Sequence, residues 1–212
     1  MLWIIPGIIV SYLIGSIPTA YIFGRVLKGI DIRKFGSGNV GATNALRVLG
    51  KGPGIAVLAM DIIKGLLPVI FLGNFLGYRA AFITDGTLRL ILGLSCICGH
   101  NWTAFLRFKG GKGIATTFGV LLGLSLKITG LKLILALVVL TWLITFLMVR
   151  IVSVASVLAG IALPIFTILL RQARGLILAS ILLSIFIILR HMTNLKRVFQ
   201  GKEPRLKFKK SA

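Results

Sequence analysis

Leu131 to Val149 reads LKLILALVVLTWLITFLMV, nineteen residues with one charge, Lys132, near the leading edge. A helix rises about 1.5 Å per residue, so a stretch of this length nearly matches the ~30 Å hydrocarbon core of a bilayer. Comparable apolar runs lie at 2–24, 54–76, 87–99, 114–126, 152–170 and 175–190, each bounded by Gly, Pro or basic residues. Two of them, 87–99 and 114–126, are short for a square crossing and are read as tilted, partly interfacial or extended by their neighbours. The expected fold is therefore all-α: a polytopic transmembrane helix bundle of about seven spans, with five as the competing count. One domain over 1–212 is expected. The first stretch is kept as a span, because it lacks a basic leader and is interrupted by Pro6 and Pro18, unlike a cleaved signal.

Composition agrees. Of 212 residues 57% are hydrophobic and 14% charged, with 25 Lys and Arg against four Asp and Glu and a net charge of +21. Soluble domains carry about 25% charged residues, so this chain has too little polar surface for a water-facing exterior. A nucleic-acid-binding protein would spread its cations over one folded face rather than confine them between apolar runs, so no nucleic-acid partner is expected. The cations are also unevenly shared between the two sides. Arg25, Lys28, Arg33, Lys34, Arg47 and Lys51 fall in one connection, Arg107, Lys109 and Lys112 in another, Arg150 in a third, and the end of the chain from Arg190 is basic. The opposite connections hold Arg79, Arg89, Lys127, Lys132, Arg171 and Arg174. Basic residues are retained on the cytoplasmic side, which puts the amino terminus outside and the carboxyl terminus in the cytoplasm. The basic tail, 196–212, is expected to touch acidic headgroups of membrane lipids.

Few ionisable residues lie inside the spans. Asp61 and Lys64 are three apart and are expected to neutralise each other on one helix face. With almost no further charges in other spans, an ion-relay transporter is disfavoured. Cys96 and Cys98 lack the second pair that a zinc site or disulfide framework needs, and are read as buried free thiols.

Three polar stretches lie on the basic side. GSGNVGATNALRVLG, Gly36 to Gly50, combines Gly36, Gly38 and Gly41 with the donors of Ser37, Asn39, Thr43 and Asn44. Glycines let backbone N–H groups turn toward one point, a suitable cradle for an anion, and Arg47, expected on the first turn of a following helix, can grip phosphate through two parallel hydrogen bonds. GHNWTAFLRFKGGKGIATTFG, Gly99 to Gly119, enters the next apolar segment through Gly110, Gly111 and Gly113 with Lys109 and Lys112. Open N–H groups at a helix start favour phosphate, but the Walker spacing is absent and nucleotide hydrolysis is not supported. Trp102, Phe105 and Phe108 are read as interface anchors. HMTNLKRVFQGKE, His191 to Glu203, sets His191 and Asn194 on one helical face, with Glu203 expected to be a structural partner for a nearby Arg or Lys.

Taken together, the three stretches resemble the bacterial acyl-phosphate:glycerol-3-phosphate acyltransferase family. Its GSGNxGxTNxxRxxG signature is matched from Gly36, GHxxxxFLxFxGGKGxAT from Gly99, and HxxNxxRxxxGxE from His191. The resemblance implies an integral enzyme of the bacterial cytoplasmic (inner) membrane with its active site facing the cytoplasm. It would transfer a fatty acyl group from acyl phosphate to the 1-hydroxyl of glycerol 3-phosphate, giving lysophosphatidic acid and inorganic phosphate, the first step of phospholipid synthesis. The expected catalytic residues are Ser37, Arg47, Lys112, His191 and Asn194. Gly36, Gly38, Asn39, Gly41, Thr43, Asn44, His100, Lys109, Gly110, Gly111 and Gly113 are expected to bind substrate. No cofactor or metal is expected, because a mixed anhydride already carries a good leaving group and needs mainly orientation and charge stabilisation. The sequence does not set the oligomeric state, and a monomer is the working expectation. Two positions depart from the family pattern: Thr103 stands where Pro is frequent, and Val198 where Leu is frequent. An anion transporter and a basic membrane scaffold are the competing classes, and neither accounts for all three stretches.

Overall fold

The computed structural model describes residues 3–79 and 83–206. Among them are helices and turns and no strand, as expected. The last part of the basic tail, with Lys207, Lys209 and Lys210, lies outside the described residues.

The helices are α1 Ile4–Ser16, α2 Thr19–Lys28, α3 Ala42–Val48, α4 Lys51–Leu67, α5 Gly73–Gly77, α6 Asp85–Asn101, α7 Ile114–Ser125, α8 Leu131–Val149, α9 Val152–Leu169 and α10 Arg174–Phe199. All seven apolar candidates are helical, and among the described residues five stretches are long and apolar enough to cross a bilayer: Ile4–Lys28, Lys51–Gly77, Leu131–Val149, Val152–Leu169 and Arg174–Phe199. The two short candidates become α6, 17 residues, and α7, 12 residues. The chain forms two compact units, Met1–Thr129 and Gly130–Ala212.

In the first unit α1 packs on α6 and α4 on α7. Lipid tails supply no hydrophobic drive for helix pairing, so close backbone approach and interhelical hydrogen bonds do the work. Glycines provide that approach: a Cβ on Gly15 would stand 2.0 Å from the Cys96 carbonyl oxygen, on Gly99 2.0 Å from that of Tyr12, and on Gly119 2.0 Å from that of Ile62. Ser11 Oγ donates to the Leu92 carbonyl at 2.6 Å and Ser95 Oγ to that of Ile8 at 2.8 Å. Cys96 is buried, its thiol donating to the Lys64 carbonyl of α4 at 3.2 Å, whereas Cys98 is only half-buried. Gly99→Val should separate α1 from α6 and cost about 1–3 kcal/mol by overpacking, read as a lower melting temperature in detergent.

Two polar devices repair breaks in the helices. Between α1 and α2, at Ile17 and Pro18, Lys64 Nζ donates to the Ile17 carbonyl at 2.8 Å and Thr19 Oγ1 donates to Asp61 Oδ1 at 2.9 Å. Asp61 and Lys64 pair at 2.8 Å, as their spacing predicts, with side chains 2% and 7% exposed. Between α4 and α5 the residues Pro68–Leu72 form a π-helical turn. There Arg89 Nη1 donates to the Val69 carbonyl at 2.6 Å, Nη2 to Asn74 Oδ1 at 2.8 Å and Nε to Asp85 at 2.7 Å. Sequence alone counts Arg89 as a loop charge. It is buried because a π turn leaves carbonyls to satisfy and Gly73 leaves room for its guanidinium.

The second unit packs α8 on α9 and α9 on α10. Trp142 stacks on Phe146 with centroids 5.0 Å apart and donates through Nε1 to Ser156 Oγ at 3.2 Å. Gly160 lets Ile187 of α10 approach α9 closely.

Candidate active site

The loop before α3 is shaped from inside. Asp31 caps the 3₁₀ turn Ile32–Lys34 by accepting from the Arg33 N–H at 3.0 Å. The chain then turns through Gly36 (φ 59°) and Gly38 (φ 72°), left-handed conformations that favour glycine. Gly36 is required twice over, since a Cβ there would lie 2.3 Å from Asn44 Oδ1. Asn44 is buried: its Oδ1 accepts from the Ser37 N–H at 2.8 Å, and its Nδ2 donates to the carbonyls of Asn39 at 2.9 Å and Phe35 at 3.1 Å. Its amide is therefore spent on the loop, and it shapes the cradle rather than offering donors to it. Ser37 is exposed at the tip, and Gly38, Asn39, Gly41 and Thr43 are half-buried. Arg47 is exposed in the last turn of α3 and not the first, because the helix starts early, at Ala42, with Gly41 as its cap. Asn44→Ala should leave global melting close to wild type but lower turnover about tenfold, since losing one buried partner costs about 1–3 kcal/mol and that loss falls on the loop.

The second loop is also internally bonded. The Gly110 N–H donates to the Asn101 carbonyl at 3.2 Å, and the Gly111 N–H to that of His100 at 3.0 Å. A Cβ on Gly110 would stand 2.1 Å from the His100 oxygen, and on Gly111 2.1 Å from His100 Nε2. These two glycines answer to packing against the end of α6, and their N–H groups are not open to an anion as the sequence reading expects. Gly113 (φ 79°) caps α7, whose first turn begins the open N–H set. Lys109 is exposed, Lys112 half-buried and His100 buried. Phe105 and Phe108 are 59% and 62% exposed, as interface anchors would be. Thr103 donates to the Ser16 carbonyl and accepts from the Phe105 N–H, so the family departure ties this loop to α1 as a proline could not.

Leu106, from the second loop, is buried in one cluster with Ile32, Val40, Ala45 and Leu49 of the first loop and α3, together with Ala20 and Val57. Two glycine-rich basic loops are thereby brought together at one end of the first unit.

In the second unit His191 and Asn194 are buried on one face of α10. The His191 Nδ1–H donates to the Ile187 carbonyl at 2.8 Å, one turn back on α10. The Nδ1 partner is a backbone carbonyl, where a Ser-His-Asp arrangement would place a carboxylate. Past the turn at Gly201 (φ 67°), Glu203 folds back. It accepts from Asn194 Nδ2, from Ser153 Oγ at 3.0 Å and from Arg197 Nε at 2.7 Å. Burial alone would raise its carboxyl, but these three hydrogen bonds and the Arg197 charge outweigh it and hold the group below its ordinary range. The structural role expected of Glu203 is what the contacts describe.

A family model described as Glycerol-3-phosphate acyltransferase matches residues 5–201. The chain belongs to that family. It is 43% identical over 209 residues to the glycerol-3-phosphate acyltransferase of Staphylococcus haemolyticus, covering 97% of this chain and 98% of that one. It is 42% identical over 196 residues to that of Gloeobacter violaceus, covering 92% and 91%. Among solved structures it is similar to PlsY (YgiH), an integral membrane glycerol 3-phosphate acyltransferase, in its glycerol 3-phosphate form: TM-score 0.84, 34% identity, 96% of each chain. The lysophosphatidic acid form of that protein matches with TM-score 0.80 and 33% identity over 96% and 95%.

Within this acyltransferase-family chain, sequence reasoning passed over a clamp beside the first loop. The Arg25 and Arg33 guanidinium carbons lie 5.3 and 5.2 Å from the Tyr21 ring centroid, and Asp31 pairs with Arg33 at 2.7 Å. Hydrogen bonds from Arg33 hold the Asp31 carboxyl at about 2, burial opposing them. Ser153 was likewise missed; no local pattern marks a serine fifty residues away in the chain as a partner of Glu203.

Proposed function

We propose that this chain is an integral membrane acyltransferase that moves a fatty acyl group from acyl phosphate to the 1-hydroxyl of glycerol 3-phosphate. The hydroxyl oxygen attacks the acyl carbon, the new ester bond forms, and the bond to phosphate breaks with its electron pair leaving on inorganic phosphate. Lysophosphatidic acid is the product, and the reaction opens phospholipid synthesis. The observation that carries the reading is the meeting of the two glycine-rich, basic loops around Leu106, in a chain whose relatives are named for glycerol 3-phosphate.

Ser37, Gly38, Asn39 and Thr43 cradle the acyl phosphate with Arg47, in a loop that Gly36, Gly41 and Asn44 shape. Lys109 and Lys112 hold glycerol 3-phosphate beside Gly113, on a loop that Gly110, Gly111 and His100 support. His191 and Asn194 serve the attacking hydroxyl, whose proton passes to His191 Nε2 or to the substrate's own phosphate. The chain works as one domain of about seven spans, α6 and α7 joining the five long helices, with the amino terminus outside and the basic loops and carboxyl terminus cytoplasmic. The clustering of Arg25, Lys28, Arg33, Lys34 and Arg47 beside Lys109 and Lys112 in connections of one parity supports that orientation. The working form is a monomer in the bacterial cytoplasmic membrane, without metal or cofactor.

Purified protein in detergent, given acyl phosphate and glycerol 3-phosphate with a chelator present, should release phosphate and lysophosphatidic acid in equal amounts. Labelled acyl phosphate should leave no stable ester on the protein. Absence of both products would defeat the reading, and an ester trapped on Ser37 would replace direct transfer with a covalent route.

A further inference from the structure

Asp61 and Lys64 bury two charges in a membrane helix, where well-packed apolar residues of similar volume often serve stability as well or better. The pair repairs the α1–α2 break through Ile17 and Thr19, and that does not explain the imidazole beside it. Its surroundings do more. Asp61 Oδ1 receives Lys64 Nζ at 2.8 Å and Thr19 Oγ1 at 2.9 Å, and His100 Nδ1 stands 3.8 Å from the same oxygen. Lys64 is itself anchored on the Ile17 carbonyl at the α1–α2 break, so the carboxylate is held by groups from two elements before it meets the imidazole. On its far side the His100 ring lies against Gly111, close enough that a Cβ there would sit 2.1 Å from Nε2. The His100 carbonyl also accepts the Gly111 N–H at 3.0 Å, and the next carbonyl, of Asn101, accepts that of Gly110 at 3.2 Å. One buried side chain thus stands between a carboxylate inside the unit and the loop that carries Lys109 and Lys112.

We infer that Asp61 is a positioning residue: its carboxylate, steadied by Lys64 and Thr19, sets the His100 imidazole, and His100 is the wall against which the Gly110–Gly113 loop is held for the phosphate of glycerol 3-phosphate. This rests on the function proposed above and deepens it. The physical requirement is rigidity. A loop of three glycines has large conformational freedom, and a binding group on it is precise only if neighbouring side chains with locked orientations confine it. His100 can lock the loop only if its own ring is locked, and Asp61 is the carboxylate beside its Nδ1.

The test uses the full chain in detergent with Asp61→Leu and Lys64→Met together, which removes both charges and keeps apolar bulk. A pair that served only to neutralise itself would be replaced without selective kinetic effect. The inference expects a lower melting temperature, since the Ile17 carbonyl and Thr19 lose their partners, together with a KM for glycerol 3-phosphate raised about tenfold and a KM for acyl phosphate within twofold of wild type. A wild-type KM for glycerol 3-phosphate overturns it, as does an equal rise in both KM values or a fall in kcat alone. Should that variant not fold, Asp61→Ser with Lys64→Met gives the same reading, because a short hydroxyl can still pair with Thr19 but cannot reach His100. The wild-type enzyme in the same assay separates the two claims. If it makes no lysophosphatidic acid the proposed function fails; if it turns over and the variants match it, only the role of Asp61 fails.

Discussion

Arg47→Ala lowers kcat/KM for acyl transfer by about 10²–10³-fold, the scale set by removing one preorganised charge-stabilising donor, and leaves the protein folded. The two halves of that expectation come from different observations. Arg47 is exposed in the last turn of α3, and the helix is secured by Gly41, Ala45 and the buried Asn44, so truncating the arginine leaves those contacts in place. What is lost is a planar guanidinium at the rim of the Ser37 loop, able to bind a phosphate through two parallel hydrogen bonds. Arg47→Lys should recover only part of the rate, because an ammonium is a point charge without the fork. Lys112→Ala is expected to act chiefly on glycerol 3-phosphate. Paired phosphate-release and product assays measure both, and full turnover with unchanged affinities in Arg47→Ala and Lys112→Ala alike would remove the site from these loops.

Glu203→Ala should destabilise the second unit by about 3 kcal/mol, the lower end of what breaking a buried pair costs. The lower end applies because Arg197 is 36% exposed and keeps part of its hydration, whereas the Glu203 side chain is only 3% exposed. Three donors lose their acceptor at once: Asn194, Ser153 and Arg197. The turn that brings the carboxylate back, closed by the Lys202 N–H on the Arg197 carbonyl and the Leu206 N–H on that of Arg150, loses its anchor. Since Asn194 sits on α10 beside His191, activity should fall with stability. The pH dependence has a definite sign. A carboxyl held below its ordinary range contributes stability that is complete above the ordinary carboxylate value of about 4 and lost as pH falls through the lower folded value. Wild-type melting in detergent should therefore drop in that acid window more steeply than that of Glu203→Gln. Parallel curves for the two proteins would show that the carboxylate does no such work.

Much of this was legible in one dimension because the bilayer imposes simple rules. A span must be long, apolar and nearly free of charge, so the seven runs are marked by composition, and all seven are helices. The same rules sort cations to one side, which isolates the three polar stretches. Burial partners were not legible. Asn44 reads as a donor for substrate until its amide is seen bonded to Ser37, Phe35 and Asn39. Gly110 and Gly111 read as open phosphate-binding N–H groups until they are found closed on the end of α6. Arg89 reads as a loop charge until the π turn at Pro68 presents carbonyls to it. In each case the same residue suits either role, and the choice depends on an atom from a distant part of the chain.

The sequence by itself determined that this protein is helical, membrane-embedded and equipped with three polar stretches between its apolar runs, because hydropathy, charge and glycine content act locally and need no partner. The tertiary structure alone decided which of those polar groups brace the loops, since a hydrogen bond is satisfied once and whichever neighbour packing brings first removes that group from the surface. Leu106, an ordinary apolar residue in sequence, joins the two loops for the same reason: only packing tells which cluster it fills.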